Sequence, residues 1–169
     1  MDSKDTNGFA PFDLSKTRKF DRNTDKQALC KNFYKSASLY YDAARYLLVN
    51  LDLMPVTLSN IAFSCELFLK AILYGFGIDF NNTHGLKNLF ELLPKSERTY
   101  IANNIAIKDR EKEFPLCLNE QNSAFIEYRY MCEAKAITSN PVFLFAFADI
   151  LKFVYESLVK ENAKPSTDK

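Results

Sequence analysis

The chain has 169 residues, 47% of them hydrophobic and 14% aromatic, enough for one proper core and too apolar for a disordered protein. With 22 Lys and Arg against 21 Asp and Glu, its net charge of +1 exerts no global pull towards nucleic acid or membranes, which argues against charge-driven, non-specific DNA binding. Only 4 Gly and 6 Pro punctuate it, so its elements are few and long, and the fold class is all-α rather than many-stranded β.

Residues 1–24 mix charges, Asn, Gly and Pro without a period and read as a polar N-terminal arm, with Pro11–Leu14 as the segment able to pin it to the body. The basic residues Lys16, Arg18, Lys19 and Arg22 are diluted by Asp13, Asp21 and Asp25 and read as solvated. Met1–Gly8 is polar, without the apolar centre of a signal peptide. Residues 25–160 form the helical domain and 161–169 a polar tail.

Asp25 is a good N-cap for a first helix over Lys26–Leu53, in which Leu29, Phe33, Ala37, Tyr40, Tyr41, Ala44, Leu47, Leu48 and Leu51 recur at three- and four-residue steps. Pro55 ends it. A second helix, from about Val56 to Tyr74, is apolar around nearly its whole circumference and belongs at the centre of the fold; Gly75 and Gly77 stop it. After a loop over Ile78–Thr83 comes a short helix carrying Leu86, Leu89, Phe90, Leu92 and Leu93, ended by Pro94. Ser96 caps a fourth helix with Tyr100, Ile101, Ile105 and Ile107. Residues 108–122 read as a charged connector, Ser123–Ala136 as a fifth helix, and Asn140-Pro141 as a well-defined start of a last helix reaching Lys160. The longest apolar stretch, Val142–Val159, is interrupted by Asp149, Lys152 and Glu156, which suits a core helix with a solvated stripe and not a membrane span.

The cysteines, Cys30, Cys65, Cys117 and Cys132, have no CxxC spacing and one histidine to join them, so no metal site is expected. Cys30, Cys65 and Cys132 fall in apolar helical patterns, as free thiols in a reducing, cytoplasmic setting do. The sequence has no GxGxxG, GxxxxGK[ST], HExxH, HxE…PCxxC or GxSxG, and no acidic cluster with EF-hand spacing; no cofactor is expected.

Two charges interrupt the second helix. Glu66 and Lys70 are four residues apart and share a face, and charges on such a helix need partners because desolvating an unpaired charge costs several kcal/mol or more. Arg129 and Glu133 on the fifth helix have the same spacing and the opposite order of sign, beside Tyr128 and Tyr130, so the expected pairs are Glu66 with Arg129 and Lys70 with Glu133. Such pairs either lock helix register or line a groove for a ligand. His84, the only histidine, stands where the short helix starts, as a loop or capping residue or as a general acid or base.

The stretch Asn60-Ile-Ala-Phe-Ser-Cys-Glu66-Leu-Phe-Leu-Lys70-Ala-Ile-Leu-Tyr-Gly75, with Thr83-His84-Gly-Leu86-Lys-Asn-Leu89-Phe90 after it, resembles the HEPN domain family over residues 26–160. The segment Phe125–Glu133 is similar to the aromatic-Arg-Tyr-x-x-Glu segment of one branch. The resemblance implies an up-and-down bundle of about five or six helices that often dimerises. Many such proteins are metal-independent RNases in toxin–antitoxin or antiviral defence systems, several paired with nucleotidyltransferase partners. Their catalytic signature, an Arg four to six residues before a His, is absent: no Arg lies at positions 77–79. Carried over by position, Glu66, Lys70, His84, Arg129 and Glu133 are the matching polar residues. The reading that follows is a homodimeric module binding RNA or a partner protein, with Glu66, Lys70, Tyr128 and Tyr130 as binding residues. Its rivals are an RNase in which Arg129 stabilises phosphate charge while His84 or Glu133 activates the ribose hydroxyl, and a purely structural interaction protein.

Overall fold

The computed structural model describes residues 24–130 and 139–163. Among them the chain is all-α, with helices α1 (Thr24–Leu47), α2 (Met54–Gly75), α3 (Leu86–Leu92), α4 (Lys95–Asn104), α5 (Arg110–Glu120), α6 (Ala124–Arg129) and α7 (Pro141–Asn162). The count exceeds the five or six expected because the charged connector is itself a helix. Asp109 enters it in a left-handed conformation (φ 43°), and Phe114, Cys117 and Leu118 bury its inner face.

The first helix is shorter than its apolar period suggests. Its register breaks after Leu47, and Asn50 starts a 3-10 turn over Leu51–Leu53 by accepting the Asp52 N–H at 3.0 Å. Pro55 does not follow a helix but sits in the first turn of α2, where its missing N–H costs nothing.

Helix α2 is the core. Fifteen of its residues are buried, including Leu58, Ile61, Phe68, Leu69, Ile72 and Leu73. Leu51–Gly75 is long and apolar enough to cross a membrane by length and composition, but 78% of its most apolar window is buried inside the fold. That surface is already used by packing.

Helix α1 lies along α2 and meets it through small residues. Ala37 and Ala44 are fully buried, and the close approach lets Ser64 donate to the Ala37 carbonyl at 2.8 Å and Cys30 to that of Ala71 at 3.1 Å. On another side α7 packs against α2, where the Cys65 thiol reaches the Leu144 carbonyl at 3.3 Å. Asn140 caps α7 as expected, accepting from Phe143 N at 2.9 Å behind Pro141. Phe143 and Phe147 stack at 5.5 Å, and Phe90 and Phe114 close the cluster from α3 and α5. Cys30, Cys65 and Cys117 are free and buried; Cys132 lies outside the described residues, as do the arm up to residue 23, Pro11–Leu14 and the tail from residue 164.

Tyrosines bridge α1 to α7. Tyr34 donates to Glu156 at 2.5 Å and Tyr41 to Asp149, while Tyr34 stacks on Tyr155 at 4.3 Å. Burial, then the carboxylate each phenol donates to, pushes both hydroxyls up to about 12 from the ordinary 10. The unfolded chain releases these protons first, so this stabilisation is present below pH 10 and is lost as pH rises from about 10 to about 12. Urea unfolding across that window is expected to show a falling midpoint, with a shallower fall in Tyr34→Phe and Tyr41→Phe.

Candidate functional site

The site starts from the two charges on α2. Lys70 Nζ lies 2.6 Å from Glu66 Oε1, and both side chains are buried, with 8% and 1% exposure. Their i,i+4 spacing makes the pair local, so no second helix is needed to satisfy it.

The third member comes from the loop after α2. Gly77 turns the chain at φ 67°, which only Gly adopts without strain, and Ile78 N closes the helix end on the Leu73 carbonyl at 2.9 Å. Asn81 and Asn82 hold left-handed conformations that Asn tolerates well, steadied by the Asp79 carboxylate, which accepts from Asn81 N at 3.0 Å. Phe80 anchors the loop edge-on against Tyr74 at 5.3 Å and Phe33 at 6.2 Å, with Lys70 Nζ 5.3 Å from its ring centre. The loop therefore folds back over the helix it has just left and delivers His84 Nδ1 to Glu66 Oε1 at 2.9 Å.

Helix α3 holds that position from the other side. Its N-cap, Gly85, has no capping side chain, and Asn122 from the α5–α6 turn supplies one. The Asn122 carbonyl accepts from Leu86 N at 2.9 Å, and its side-chain oxygen accepts from Lys87 N at 2.9 Å and Asn88 N at 3.4 Å. A Cβ on Gly85 would stand 2.6 Å from that side-chain oxygen, so glycine here leaves room for the cap.

The resulting network is asymmetric. Both Lys70 and His84 converge on Glu66 Oε1, whereas Oε2 is buried without a hydrogen-bond partner among the described residues. A carboxylate acceptor requires the proton of His84 to sit on Nδ1, and the imidazole is 52% exposed. The Lys70–His84 approach of 3.5 Å then sets two donors against one oxygen and is not itself a hydrogen bond.

Arg129 does not join this network, contrary to the pairing that its spacing suggests. It is exposed at the end of α6, its guanidinium 5.5 Å from the Phe125 ring centre and 5.6 Å from that of Tyr130. The reason is energetic: Lys70 and His84 already supply Glu66 with cationic and hydrogen-bonding partners on Oε1, and an exposed guanidinium on aromatic faces keeps most of its hydration. Glu133, the expected partner of Lys70, lies outside the described residues, and Lys70 pairs with Glu66 instead. Tyr128 points inward, donating to Gln121 at 2.5 Å, with burial pushing its hydroxyl up to about 12; Tyr130 is 48% exposed.

Sequence reading missed the aromatic residues that connect these parts. Phe63 stacks on Phe125 at 4.3 Å and meets Tyr40 edge-on at 4.7 Å, so a ladder runs Tyr40, Phe63, Phe125, Arg129 across α1, α2 and α6. The signal was present in the spacing: Phe63, Glu66, Lys70 and Tyr74 recur at helical steps along one side of α2.

An all-α domain with a Glu-Lys-His network between its central helix and the following loop is the class that this geometry defines. The sequence model of the HEPN domain matches residues 30–138, from α1 past the end of α6, and the chain belongs to that family. No curated protein and no solved structure matches the chain.

Burial decides what each charge is worth. Lys70→Ala leaves Glu66 buried beside a half-exposed histidine and should cost about 3–5 kcal/mol in denaturant unfolding, whereas Arg129→Ala on the surface should change stability by no more than about 0.5 kcal/mol. Equal costs would contradict this assignment. Asn122→Ala and Gly85→Ala each remove or displace the cap that positions His84, and a loss of about 1–2 kcal/mol is expected by the same measurement.

Proposed function

We propose that the protein is a homodimeric HEPN module that binds single-stranded RNA, serving a bacterial defence, stress or toxin–antitoxin system. The observation that carries the reading is the ladder of Tyr40, Phe63, Phe125 and Arg129, whose exposed guanidinium lies 5.5 Å from the Phe125 ring centre. Arginine planes and aromatic rings are the platforms on which unpaired bases stack, and a net charge of +1 suits a binder that relies on stacking more than on bulk charge. Within such a system a nucleotidyltransferase-type protein is the natural partner, as in several proteins of this family.

Fluorescence anisotropy with a labelled single-stranded RNA tests this. Arg129→Ala should weaken binding by roughly tenfold, the worth of one stacked base, while duplex RNA binds poorly to either protein. No binding by the wild type, or identical affinity for the variant, refutes it and favours a partner protein as the ligand.

A second reading has its own observation. Glu66 holds the Nδ1 side of a half-exposed imidazole at 2.9 Å, the arrangement that orients a general acid or base. This supports metal-independent RNA cleavage with His84 as the proton-transfer group and the family's usual Arg-to-His signature replaced. Cleavage of labelled RNA in EDTA by wild type but not by His84→Ala supports it; equal background from both ends it.

A further inference from the structure

A cavity of about 170 Å³ opens where the first turns of α1 meet the ends of α2 and α7. Of the residues that line it, Cys30, Gly75 and Tyr155 are buried, Val159 is half-buried, and Gln27 and Lys31 are exposed at its mouth. Polar groups on its wall turn to other partners. The Cys30 thiol donates to the Ala71 carbonyl at 3.1 Å, and the Asn162 amide donates to the Leu158 carbonyl at 2.9 Å. The hollow therefore suits an apolar guest, and a cavity of roughly 150 Å³ is known to take one benzene-sized ring.

We propose that this cavity takes the side chain of Phe20, so that the N-terminal arm straps the start of α1 to the end of α7. Two segments outside the described residues adjoin the cavity: the arm, which joins α1 at Thr24, and the tail, which leaves α7 after Ala163, a residue of the cavity lining. The tail, Lys164-Pro-Ser-Thr-Asp-Lys169, has no large apolar side chain to offer. The arm has Phe20, the one large apolar residue between Leu14 and Leu29. Reach favours it as well. Gln27, at the mouth, is one turn into α1, and Phe20 stands four residues before Thr24, a stretch that spans up to about 13 Å. Leu14, Phe12 and Phe9 stand ten or more residues before Thr24, and every further residue fixed in place costs backbone entropy. Docking Phe20 fixes the fewest residues for one buried ring. The strap is independent of the homodimer and RNA readings, since the cavity shares no residue with the Arg129 ladder.

The chain contains no Trp, so Phe20→Trp in the full chain gives a single indole emitter. Its emission is expected to be blue-shifted, and shielded from acrylamide quenching, relative to the same protein in urea. Val159→Asp added to that protein sets a charge on the cavity wall and should return the emission towards the unfolded position while helical circular dichroism is kept. Alkylation of Cys30, mapped by peptide mass, gives a second readout in the chain without Trp. Phe20→Ser should raise it by roughly tenfold or more, since burial of one aromatic ring favours the docked arm by at least a decade, and Cys65 should stay protected. An emission already at the unfolded position overturns the proposal and leaves the cavity to a small apolar ligand from solution. A blue shift that survives Val159→Asp in a folded protein puts the ring elsewhere and overturns it too. If Val159→Asp does not fold, the labelling decides: Cys30 alkylated equally in wild type and Phe20→Ser overturns the strap.

Discussion

The structure depends on one constraint: a charged pair is buried on the most apolar helix of the fold. Helix α2 is apolar all round and has to be central, yet it carries Glu66 at 1% exposure. A lone buried carboxylate would cost several kcal/mol, and Lys70 one turn away offsets only part of that. A second partner on the same oxygen is His84, which is available because the chain doubles back through Gly77 and the left-handed Asn81 and Asn82. Helix α3 then begins where the histidine must sit, and Asn122 caps it from the α5–α6 turn. Satisfying one carboxylate thus organises a loop, a short helix and a turn nearly 40 residues further along.

The same economy of polar contacts shapes the rest of the bundle. Small residues on α1 let it approach α2 closely enough for Ser64 and Cys30 to donate to backbone carbonyls, so polar atoms on the buried faces find partners without breaking the apolar seam. Tyr34 and Tyr41 do the corresponding work between α1 and α7, each placing its ring in the core and its hydroxyl on a carboxylate at the rim. The stripe of Asp149, Lys152 and Glu156 on α7 is therefore only partly a solvated face: two of its three charges receive tyrosine hydroxyls.

Arg129 shows how a local solution displaces a long-range one. Matched spacing and opposite sign made it an attractive partner for Glu66, but an i,i+4 lysine and a loop histidine reach that oxygen without dehydrating a guanidinium. Freed from that role, Arg129 lies against Phe125, and the ladder with Phe63 and Tyr40 links it across α2 to α1. The polar network and the aromatic ladder share α2 as their base, since Phe63 is three residues from Glu66. Binding and any proton transfer would then be organised from one helix.

The sequence by itself determined the helical class, the centrality of α2, the N-cap of α7 and the shared face of Glu66 and Lys70, because each follows from periodicity or from contacts within one or two turns. The HEPN motifs were likewise legible, since they are contiguous in the chain. The end of α1 at Leu47 was not, because an apolar period continues through Leu51 while Asn50 competes by capping its own backbone. Neither was helix α5, whose charges mask the burial of Phe114 and Cys117. Only the tertiary structure decided which cation Glu66 keeps, that His84 folds onto it, that a remote asparagine caps α3, and that Phe63 meets Phe125. The last three are contacts between residues 18 to 62 positions apart, and the outcome turns on which partner can be reached with the least desolvation, a quantity that spacing along one helix does not contain.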